Sequence, residues 1–335
     1  MLASSSKLEN FATIPHGPPA NPESLLSQVT PTANSIFMLH TDIVHGCQLR
    51  CVGCPNSTIM DKVERISVAD FSQILGNIDV DHVHTLRLYN YGEPLLHRDL
   101  PGIVEQIPRQ RWKPSIVEIT TNAQYCDWGN FEEMLKLQVV NKIVVSCDGD
   151  ATAESYERLR PPSKWSKLLE FLERAHALRE KWSPATQLFT RSIVESAQDR
   201  QAWRELVEPK GWTPRFRGWM ILPEAATNPT HRPPEKPQGP CFFMQNAEVF
   251  TQHPWHGEIN LLYVDADGTV VPCCIHPKAG VLGNLKHQTY NQILHGPLRA
   301  QFRRRMETDR ASMAICGQCE FGPAGAEGPS FAAVQ

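Results

Sequence analysis

The sequence of 335 residues predicts an α/β protein whose main domain is a partial (β/α)6 barrel, a TIM-like fold, followed by a small C-terminal module of a hairpin and helices. Strand-like and helix-like segments alternate from about residue 34 to about residue 222. Several strand candidates, such as SIVEIT and KIVVSC, are nearly continuous apolar runs, which is typical of a parallel sheet covered on both faces. A cysteine-rich loop follows the first strand, at the end of the barrel where such folds carry their chemistry.

The six predicted strands cover residues 36–44, 84–91, 115–121, 142–148, 187–194 and 215–221. Helices are predicted in the gaps between them. Ser67 and Asp70 fit a capping box ahead of a helix with apolar residues on one face. Two further helices, near 164–182 and 199–208, carry apolar stripes that we interpret as core packing.

Beyond the barrel, the proline-rich segment ILPEAATNPTHRPPEKPQGP predicts a linker. LLYVDADGTVVPCC then predicts a β-hairpin that turns near Asp267-Gly268. A helical pattern follows and is broken at Gly296-Pro297. We therefore expect a flexible N-terminal arm (1–33), the barrel (34–222), the linker (223–240), the C-terminal module (241–320) and a tail (321–335).

The composition is that of an ordinary globular protein, with 41% hydrophobic and 21% charged residues. The net charge of −3 gives no general attraction to nucleic acid or to an anionic membrane. We interpret the basic run Arg303-Arg304-Arg305 as a solvated helix face. No apolar run approaches the roughly 18 residues of a membrane span. Ten cysteines without a secretory signal favour a reducing compartment, which we expect to be the cytoplasm, and metal or redox use.

Three cysteines in the run CQLRCVGC are the most informative feature of the sequence. Cys47, Cys51 and Cys54 can hold three irons of a cubane cluster and leave the fourth iron open, whereas an electron-carrying 4Fe–4S centre takes four cysteines. The alternative is a structural zinc loop with His45 as the fourth ligand. The Cys-x3-Cys-x2-Cys spacing favours the cluster.

A second group of cysteines lies beyond the linker, at Cys241, Cys273, Cys274, Cys316 and Cys319. Cys316 and Cys319 form a Cys-x2-Cys pair, and Cys273 follows the predicted hairpin. Four thiolates from three separated places can close a tetrahedral site. Taken alone, this group is compatible with either zinc or an iron–sulfur cluster.

With both groups in view, residues 36–320 resemble radical S-adenosylmethionine (SAM) enzymes that carry a SPASM or twitch extension. The run YNYGEP resembles the family's Gly-Gly-Glu-Pro motif, in which Gly92, Glu93 and Pro94 are retained and Tyr91 replaces the first glycine. The resemblance implies that this segment contacts the methionyl amino group of SAM. Asn90 stands where relatives often have a polar contact to SAM.

Further motifs extend the resemblance along the barrel. Asn122 in ITTNA resembles the family's third-strand element, and Ser146 and Asp148 in VSCDG resemble the fourth-strand element, whose serine commonly faces the SAM ribose. Arg160 fits a family pattern, and Arg191 is the expected partner of the SAM carboxylate. One departure is Gly53, because an aromatic residue usually precedes the third cluster cysteine.

The resemblance implies three cofactors: a SAM-binding 4Fe–4S cluster, SAM itself and one auxiliary 4Fe–4S cluster. Five C-terminal cysteines are too few for the two auxiliary clusters of a full SPASM domain. The implied ligands of the single auxiliary cluster are Cys241, Cys273, Cys316 and Cys319. Cys274 is either the spare cysteine or a replacement for Cys273.

In this family the reduced cluster cleaves SAM to a 5′-deoxyadenosyl radical, which takes a hydrogen atom from the substrate. We expect an oxidation, either a dehydrogenation or a cross-link, of a small-molecule alcohol or a peptide residue, with a flavodoxin or ferredoxin as electron donor. Asp148, His45, His84 and His97 are the candidates for the base that deprotonates the substrate radical. The short N-terminal arm slightly favours a small molecule, or a peptide delivered by a separate partner, because the arm cannot hold a leader-recognition domain.

Two alternatives stay open. The first is a redox-neutral epimerase or peptide maturase, in which a cysteine returns a hydrogen atom to the substrate. Cys126 and Cys147 are the barrel cysteines outside the clusters, but strand alternation predicts that Cys147 points away from the SAM side. The second alternative is a zinc-stabilised binding protein that is not an enzyme. Neither a membrane nor a nucleic acid is expected as a partner.

Overall fold

A computed structural model of the chain describes residues 35–56, 62–224, 241 and 261–320. The predicted arm, the predicted tail and most of the predicted linker lie outside these residues. The domain boundaries drawn from the sequence therefore stay predictions.

Six parallel strands form the centre of the molecule and follow one another across the sheet in chain order, as a (β/α)6 barrel requires. They are β1, β4, β5, β6, β7 and β8. The strands among the described residues are β1 (Ser35–Thr41), β2 (Val44–His45), β3 (Glu64–Arg65), β4 (His82–Arg87), β5 (Lys113–Thr121), β6 (Lys142–Ser146), β7 (Gln187–Ile193), β8 (Thr213–Arg217), β9 (Leu261–Val264), β10 (Thr269–Val271) and β11 (Gly283–Asn284). The predicted fold class is confirmed.

Helices connect the barrel strands, and two more follow the last strand. They are α1 (Val68–Gly76), α2 (Leu100–Glu105), α3 (Trp128–Lys136), α4 (Ala153–Leu159), α5 (Trp165–Trp182), α6 (Ala197–Val207), α7 (Tyr290–Leu294) and α8 (Pro297–Thr308). Ser67 caps α1, where its side chain accepts a hydrogen bond from the backbone nitrogen of Asp70. The break at Gly296-Pro297 falls between α7 and α8, as the sequence predicts. Arg304 and Arg305 are exposed on α8, in keeping with a solvated helix face.

The C-terminal hairpin is part of the barrel sheet and not a separate sheet. β9 pairs in parallel with β1 and antiparallel with β10, which in turn pairs with β11. Gly268 occupies the hairpin turn with a φ of 85°, a conformation that favours glycine. As a result β1 lies between β4 and β9, and all seven of its residues are buried. The sequence did not predict this pairing, because β1 and β9 are more than 200 residues apart.

No helix among the described residues is long and apolar enough to cross a membrane.

Candidate active site

A cavity of about 260 Å³ opens at the carboxyl ends of the barrel strands. All three loop cysteines line it, as do six of the other residues predicted from the sequence: Asn90, Gly92, Glu93, Asn122, Ser146 and Arg191. Asp148 also lines the cavity, whereas Pro94 lies just outside it at the start of a short 3-10 turn, Pro94–Leu96. Strand ends thus bring residues from five separate segments to one place, as in other α/β barrels.

The cysteine loop is fastened to the end of α4 by its backbone. The nitrogen of Val52 donates to the carbonyl of Leu159 at 2.8 Å, and that of Arg50 donates to Pro161. The sulfur of Cys47 accepts hydrogen bonds from the Leu49 nitrogen at 3.4 Å and from the Asn122 amide at 3.3 Å. Hydrogen bonds to sulfur are typical of cluster-ligating cysteines.

Burial makes the loop thiolates costly unless a cation accompanies them. Burial, followed by the nearby Glu93 carboxyl, raises the pKa of Cys47 to about 12. Burial raises the pKa of Cys51 to about 11, although the Arg160 guanidinium opposes this rise. Three half-buried thiols that share one cavity are therefore a donor set suited to a positively charged iron centre, which would stabilise their ionised forms.

The carboxyl of Glu93 lies in the cavity wall with capacity for one further donor. Its oxygens accept from the hydroxyl of Thr121 at 2.7 Å, from the nitrogen of Asn122 at 2.7 Å and from the nitrogen of Leu95 at 3.1 Å. Burial raises the pKa of Glu93 to about 7, against the effect of these three bonds. A carboxylate accepts about four hydrogen bonds, so one site is left for an ammonium group.

Asp42 holds the segment before Glu93 in place, and sequence reasoning missed it. Its carboxyl accepts from the backbone nitrogens of Asn90, Tyr91 and Gly92 at 2.8, 3.1 and 3.1 Å. Burial raises the pKa of Asp42 to about 6. A Cβ on Gly92 would lie 1.5 Å from the carbonyl oxygen of Val44, so only glycine fits there.

Buried polar atoms in the cavity wall lack partners among the described residues, as expected where a polar ligand binds. They include the hydroxyl oxygen of Thr120 and both polar atoms of the Asn90 amide. Burial raises the pKa of Asp265 to about 8, and the nearby Asn90 side chain opposes this rise without reaching a good hydrogen-bond geometry. These atoms fit the several donors and acceptors of SAM.

Asp148 is engaged on both of its oxygens. One accepts from the Ile193 nitrogen at 2.9 Å, and the other forms a buried ion pair with Arg160. Such a carboxylate is better placed to hold Arg160 beside the Cys51 sulfur than to accept a substrate proton. Two residues before Asp148, Ser146 at the end of β6 lies next to Arg191 of β7, because the two residues are paired in the register of these strands.

None of the three histidines proposed as bases lines the cavity. The His84 ring stacks on Phe37 at 5.0 Å, and burial lowers its pKa to about 4. The His97 ring lies 2.7 Å from the carbonyl oxygen of Ile66. His45 lies in the short strand β2, outside the cavity. The sequence shows only that these histidines are near strand ends, and that position does not determine the direction of a side chain.

His40 of β1 lines the cavity instead. Burial, and then the Arg87 charge, lowers its pKa well below the usual value, so the ring is neutral. Nε2 lies 3.3 Å from the Arg87 guanidinium, while Nδ1 is buried without a hydrogen-bond partner among the described residues. The available signal was a single histidine within the apolar run IFMLHT.

The C-terminal cysteines divide between two places. Burial raises the pKa of Cys273 well above its usual value, and the neighbouring thiols of Cys274, Cys241 and Cys319 raise it further. Burial, and then Cys241, raises the pKa of Cys316 to about 11. These electrostatic contacts group four buried cysteines, at positions 241, 273, 316 and 319.

Cys274 lies on the other side, in the wall of the cavity. Burial raises the pKa of its thiol to about 11, although a hydrogen bond with Tyr263 opposes the rise. Cys274 therefore faces the same space as the cysteine loop. Cys147 does not line that space, and its sulfur lies 3.3 Å from the Ser192 hydroxyl.

Two side chains, Tyr91 and Arg310, support the four-cysteine group through three hydrogen bonds. The Tyr91 hydroxyl donates to the carbonyl of Cys273 at 2.7 Å, which joins the SAM motif to this group. The Arg310 guanidinium donates to the carbonyls of Cys316 and Cys319 at 3.2 and 3.0 Å. Within the described residues no three Cys, His, Asp or Glu side chains gather at one point suited to a single metal ion. A cubane places each thiolate on a different iron, so its ligands need not meet at one point.

Two family models and one curated relative match parts of the sequence. Residues 41–183 match the model of the radical SAM superfamily, and residues 256–320 match that of SPASM, an iron–sulfur cluster-binding domain. A curated relative, the GTP 3′,8-cyclase of Nitrobacter winogradskyi, is 24% identical over 152 residues. That match covers 45% of this chain and 43% of the relative.

Two solved structures share the fold. BtrN in complex with AdoMet (SAM) and 2-DOIA is 16% identical with a TM-score of 0.50, over 85% of this chain and 92% of that one. The structure anSMEcpe with bound AdoMet is 15% identical with a TM-score of 0.56, over 85% of this chain and 86% of that one.

The chain belongs to the radical SAM superfamily and carries a SPASM-type C-terminal region. The two domains imply three cofactors: a 4Fe–4S cluster, SAM and an auxiliary iron–sulfur cluster.

Proposed function

We propose that the protein is a radical SAM oxidoreductase that dehydrogenates or cross-links its substrate. The observation that carries the proposal is the presence of four grouped, buried cysteines next to a cavity that holds the cysteine loop and Glu93. A cluster with four protein ligands has no open iron for substrate, so its natural use is to accept an electron.

Cys47, Cys51 and Cys54 are the proposed ligands of the first cluster. With SAM bound, this cluster supplies a 5′-deoxyadenosyl radical that abstracts a hydrogen atom from the substrate. Glu93 would bind the SAM ammonium, Arg191 its carboxylate and Ser146 its ribose, while Asn90 offers unpartnered polar atoms. Asn122 orients the loop through its bond to the Cys47 sulfur.

Cys241, Cys273, Cys316 and Cys319 are the proposed ligands of the auxiliary cluster. A flavodoxin or ferredoxin would supply the electron that starts each turnover. The substrate electron would leave through the auxiliary cluster, and the hydrogen atom would leave in 5′-deoxyadenosine. The proton then needs a base.

His40 lines the cavity but is not that base. Its Nε2 accepts from the Arg87 guanidinium, so the proton of the neutral ring lies on Nδ1, which can only donate. We propose that Nδ1–H donates a hydrogen bond to the oxygen of the substrate and that solvent takes the proton of the substrate radical. For an alcohol, one hydrogen atom, one proton and one electron leave in total, and a carbonyl group forms.

The substrate is either a small-molecule alcohol or a peptide residue. Both kinds of ligand occur in structures with this fold, since one contains 2-DOIA and another contains the Cp18Cys peptide.

The central test incubates the anaerobically reconstituted enzyme with SAM, a reductant and candidate substrates, and measures 5′-deoxyadenosine and product mass. We expect a product lighter by about two mass units, since two hydrogens leave. Cys316→Ala should lose this product and fall from about eight irons to about four, with the first cluster intact. Cys126→Ala is the matched control, because Cys126 belongs to neither group. Unchanged turnover in Cys316→Ala would refute the electron-accepting role, and zinc without sulfide would refute the enzyme.

His40 has its own test. His40→Phe removes the Nδ1–H donor and should raise the KM for the substrate, while SAM cleavage without substrate continues. His84→Phe should leave both activities unchanged. An unchanged KM in His40→Phe would remove His40 from substrate binding.

The position of Cys274 favours a second candidate function, a redox-neutral epimerisation. Its thiol would give a hydrogen atom to the substrate radical, and the resulting thiyl radical would be restored by one electron and one proton from the flavodoxin-type donor. In D2O the product would then keep its mass apart from one deuterium at carbon. Cys274→Ala should lose that deuterium incorporation, whereas the oxidation predicts no deuterium at carbon.

A further inference from the structure

The inner face of the barrel carries more positive charge than its acidic groups can balance. The cations are Arg87, Lys142, Arg191, Arg215 and Arg217, contributed by β4, β6, β7 and β8. Glu118 of β5 lies among them, with its carboxyl 3.1 Å from Arg87 and 3.8 Å from Arg191. The same carboxyl accepts from the Tyr89 hydroxyl at 2.6 Å, so its capacity is largely used.

The other cations of this region have neighbours that account for them. Arg160 is paired with Asp148 at the cavity rim. The Arg215 guanidinium stacks over the Phe189 ring at 3.7 Å, and the Lys142 Nζ lies 6.0 Å from the centre of that ring. Neither Arg215 nor Lys142 lines the cavity.

Arg217 is different. It is the last residue of β8, lines the cavity, and is followed by Gly218, Trp219 and Met220, which line it too. Its Nε is buried without a hydrogen-bond partner, and within the described part of the chain its guanidinium forms no ion pair. Burial lowers the pKa of Arg217, and the Arg191 and Arg160 charges lower it further, against the pull of Asp148.

Arg217 is half-buried, and its acidic neighbour Asp148 is already paired with Arg160, so its guanidinium is available to bind an anion in the cavity. The planar fork suits a carboxylate or a phosphate, each of which accepts two parallel hydrogen bonds. SAM brings one carboxylate, for which Arg191 on the neighbouring strand is available. Arg217 is thus left for another ligand.

We propose that Arg217 binds an anionic group, a carboxylate or a phosphate, on the substrate. This inference rests on the proposed function, because it names the substrate class of the same cavity. It predicts that neutral alcohols and neutral peptide residues are poor substrates unless an anionic group lies within reach of the reacting carbon.

The test uses the anaerobic, reconstituted holoenzyme saturated with SAM, titrated separately with inorganic phosphate and with acetate at constant ionic strength in a calorimeter. We expect one site for at least one of the two anions. Arg217→Met should weaken it at least tenfold, and Arg217→Lys should retain part of the affinity. Arg215→Met is the matched control, since it removes the same charge two residues away and should bind like the wild type.

Two results would overturn the proposal: no anion binding in the wild type, or equal binding in Arg217→Met. A parallel titration without SAM explains the first result, because anion binding seen only without SAM would mean that Arg217 holds the SAM carboxylate. Cleavage of SAM without substrate reads out the proposed function separately. If Arg217→Met and wild type both cleave SAM but neither binds an anion, only this inference fails. If wild type has no cluster and cleaves no SAM, the proposed function fails.

A second readout uses paired compounds that differ only in charge, such as a carboxylate and its methyl ester. The wild type should form 5′-deoxyadenosine faster with the carboxylate at subsaturating concentration. Arg217→Met should lose that preference through a higher KM. A preference of equal size in the variant would contradict the assignment.

Discussion

The Glu93 carboxyl is the group that we propose binds the ammonium of SAM. It is 3% exposed, has three hydrogen-bond donors and keeps one free acceptor position that faces the cavity. Because burial raises its pKa to about 7, the free protein holds this group partly protonated near neutral pH. An ammonium group bound there would favour the ionised form and lower the pKa.

We therefore expect the affinity for SAM to depend on pH. Below about pH 7 binding must displace the Glu93 proton, so affinity should fall by up to about tenfold per pH unit between pH 7 and 5. The stability of the free protein depends on pH in the opposite direction, because it falls as pH rises. The raised pKa gives stability that is complete below about pH 4.5 and is lost as pH rises through about 7, up to ~3 kcal/mol.

Calorimetric titration with SAM and thermal melts from pH 5 to 8 measure both effects. Glu93→Gln should bind SAM weakly at every pH and show a flat profile. Glu105→Gln, which changes an exposed carboxyl on α2, should retain the wild-type slope. An unchanged slope in Glu93→Gln would assign the titration to another group.

Asn122 acts on the first cluster through the Cys47 sulfur. Its amide donates to that sulfur at 3.3 Å, and such bonds favour the reduced, more negative cluster. Asn122→Ala should therefore lower the reduction potential of this cluster by about 20–60 mV, the equivalent of one hydrogen bond for a one-electron couple. Potentiometric titration followed by electron paramagnetic resonance measures the shift. Asn130→Ala on α3 is the control, and an unchanged potential in Asn122→Ala would mean that the bond does not form in the loaded enzyme.

At the scale of elements, the connection after β4 is shaped by the connection after β1. Asp42 receives three consecutive nitrogens from Asn90 to Gly92, and Gly92 passes close to the Val44 carbonyl. This packing explains why Gly92 is a glycine, whereas the first glycine of the family motif can be replaced by Tyr91. The tyrosine side chain leaves the crowded backbone and reaches the Cys273 carbonyl.

Gly92→Ala should disrupt this packing. The new Cβ would lie 1.5 Å from a carbonyl oxygen, so the backbone must move, at a cost of about 1–3 kcal/mol, and Glu93 would move with it. We expect at least tenfold weaker SAM binding and a lower melting temperature. Gly76→Ala at the end of α1 has no atom within 4 Å of the new Cβ and should be neutral or slightly stabilising. Normal SAM binding by Gly92→Ala would show that the motif tolerates this movement.

At the scale of the whole molecule, the barrel and the C-terminal region share one sheet. β9 covers the edge of β1, and the hairpin therefore completes the fold on which the cysteine loop depends. A chain that ends after residue 222 would expose β1 as an unpaired apolar edge strand. We expect this truncated chain to aggregate, as measured by size-exclusion chromatography. Coexpression of residues 241–335 should recover soluble protein, whereas a soluble, monomeric 1–222 fragment would contradict the structural role of β9.

The sequence by itself determined the superfamily, the three-cysteine loop and the alternation of strands and helices, because each depends on residues close together in the chain. Cys47, Cys51 and Cys54 lie within eight residues of one loop. The helix cap at Ser67 and the hairpin turn at Gly268 depend on equally short segments. The apolar runs identified the strands because both faces of a parallel sheet are buried.

Only the tertiary structure decided which distant side chains share the cavity. His40, Arg217 and Cys274 come from the first strand, the last barrel strand and the loop after the hairpin, and no local pattern distinguishes them from His84, Arg215 and Cys273. Their direction depends on how β1 pairs with both β4 and β9, and on how each strand ends. The sequence therefore indicated the cofactors, whereas the pairing of the strands determined which residues line the cavity where we propose the substrate binds.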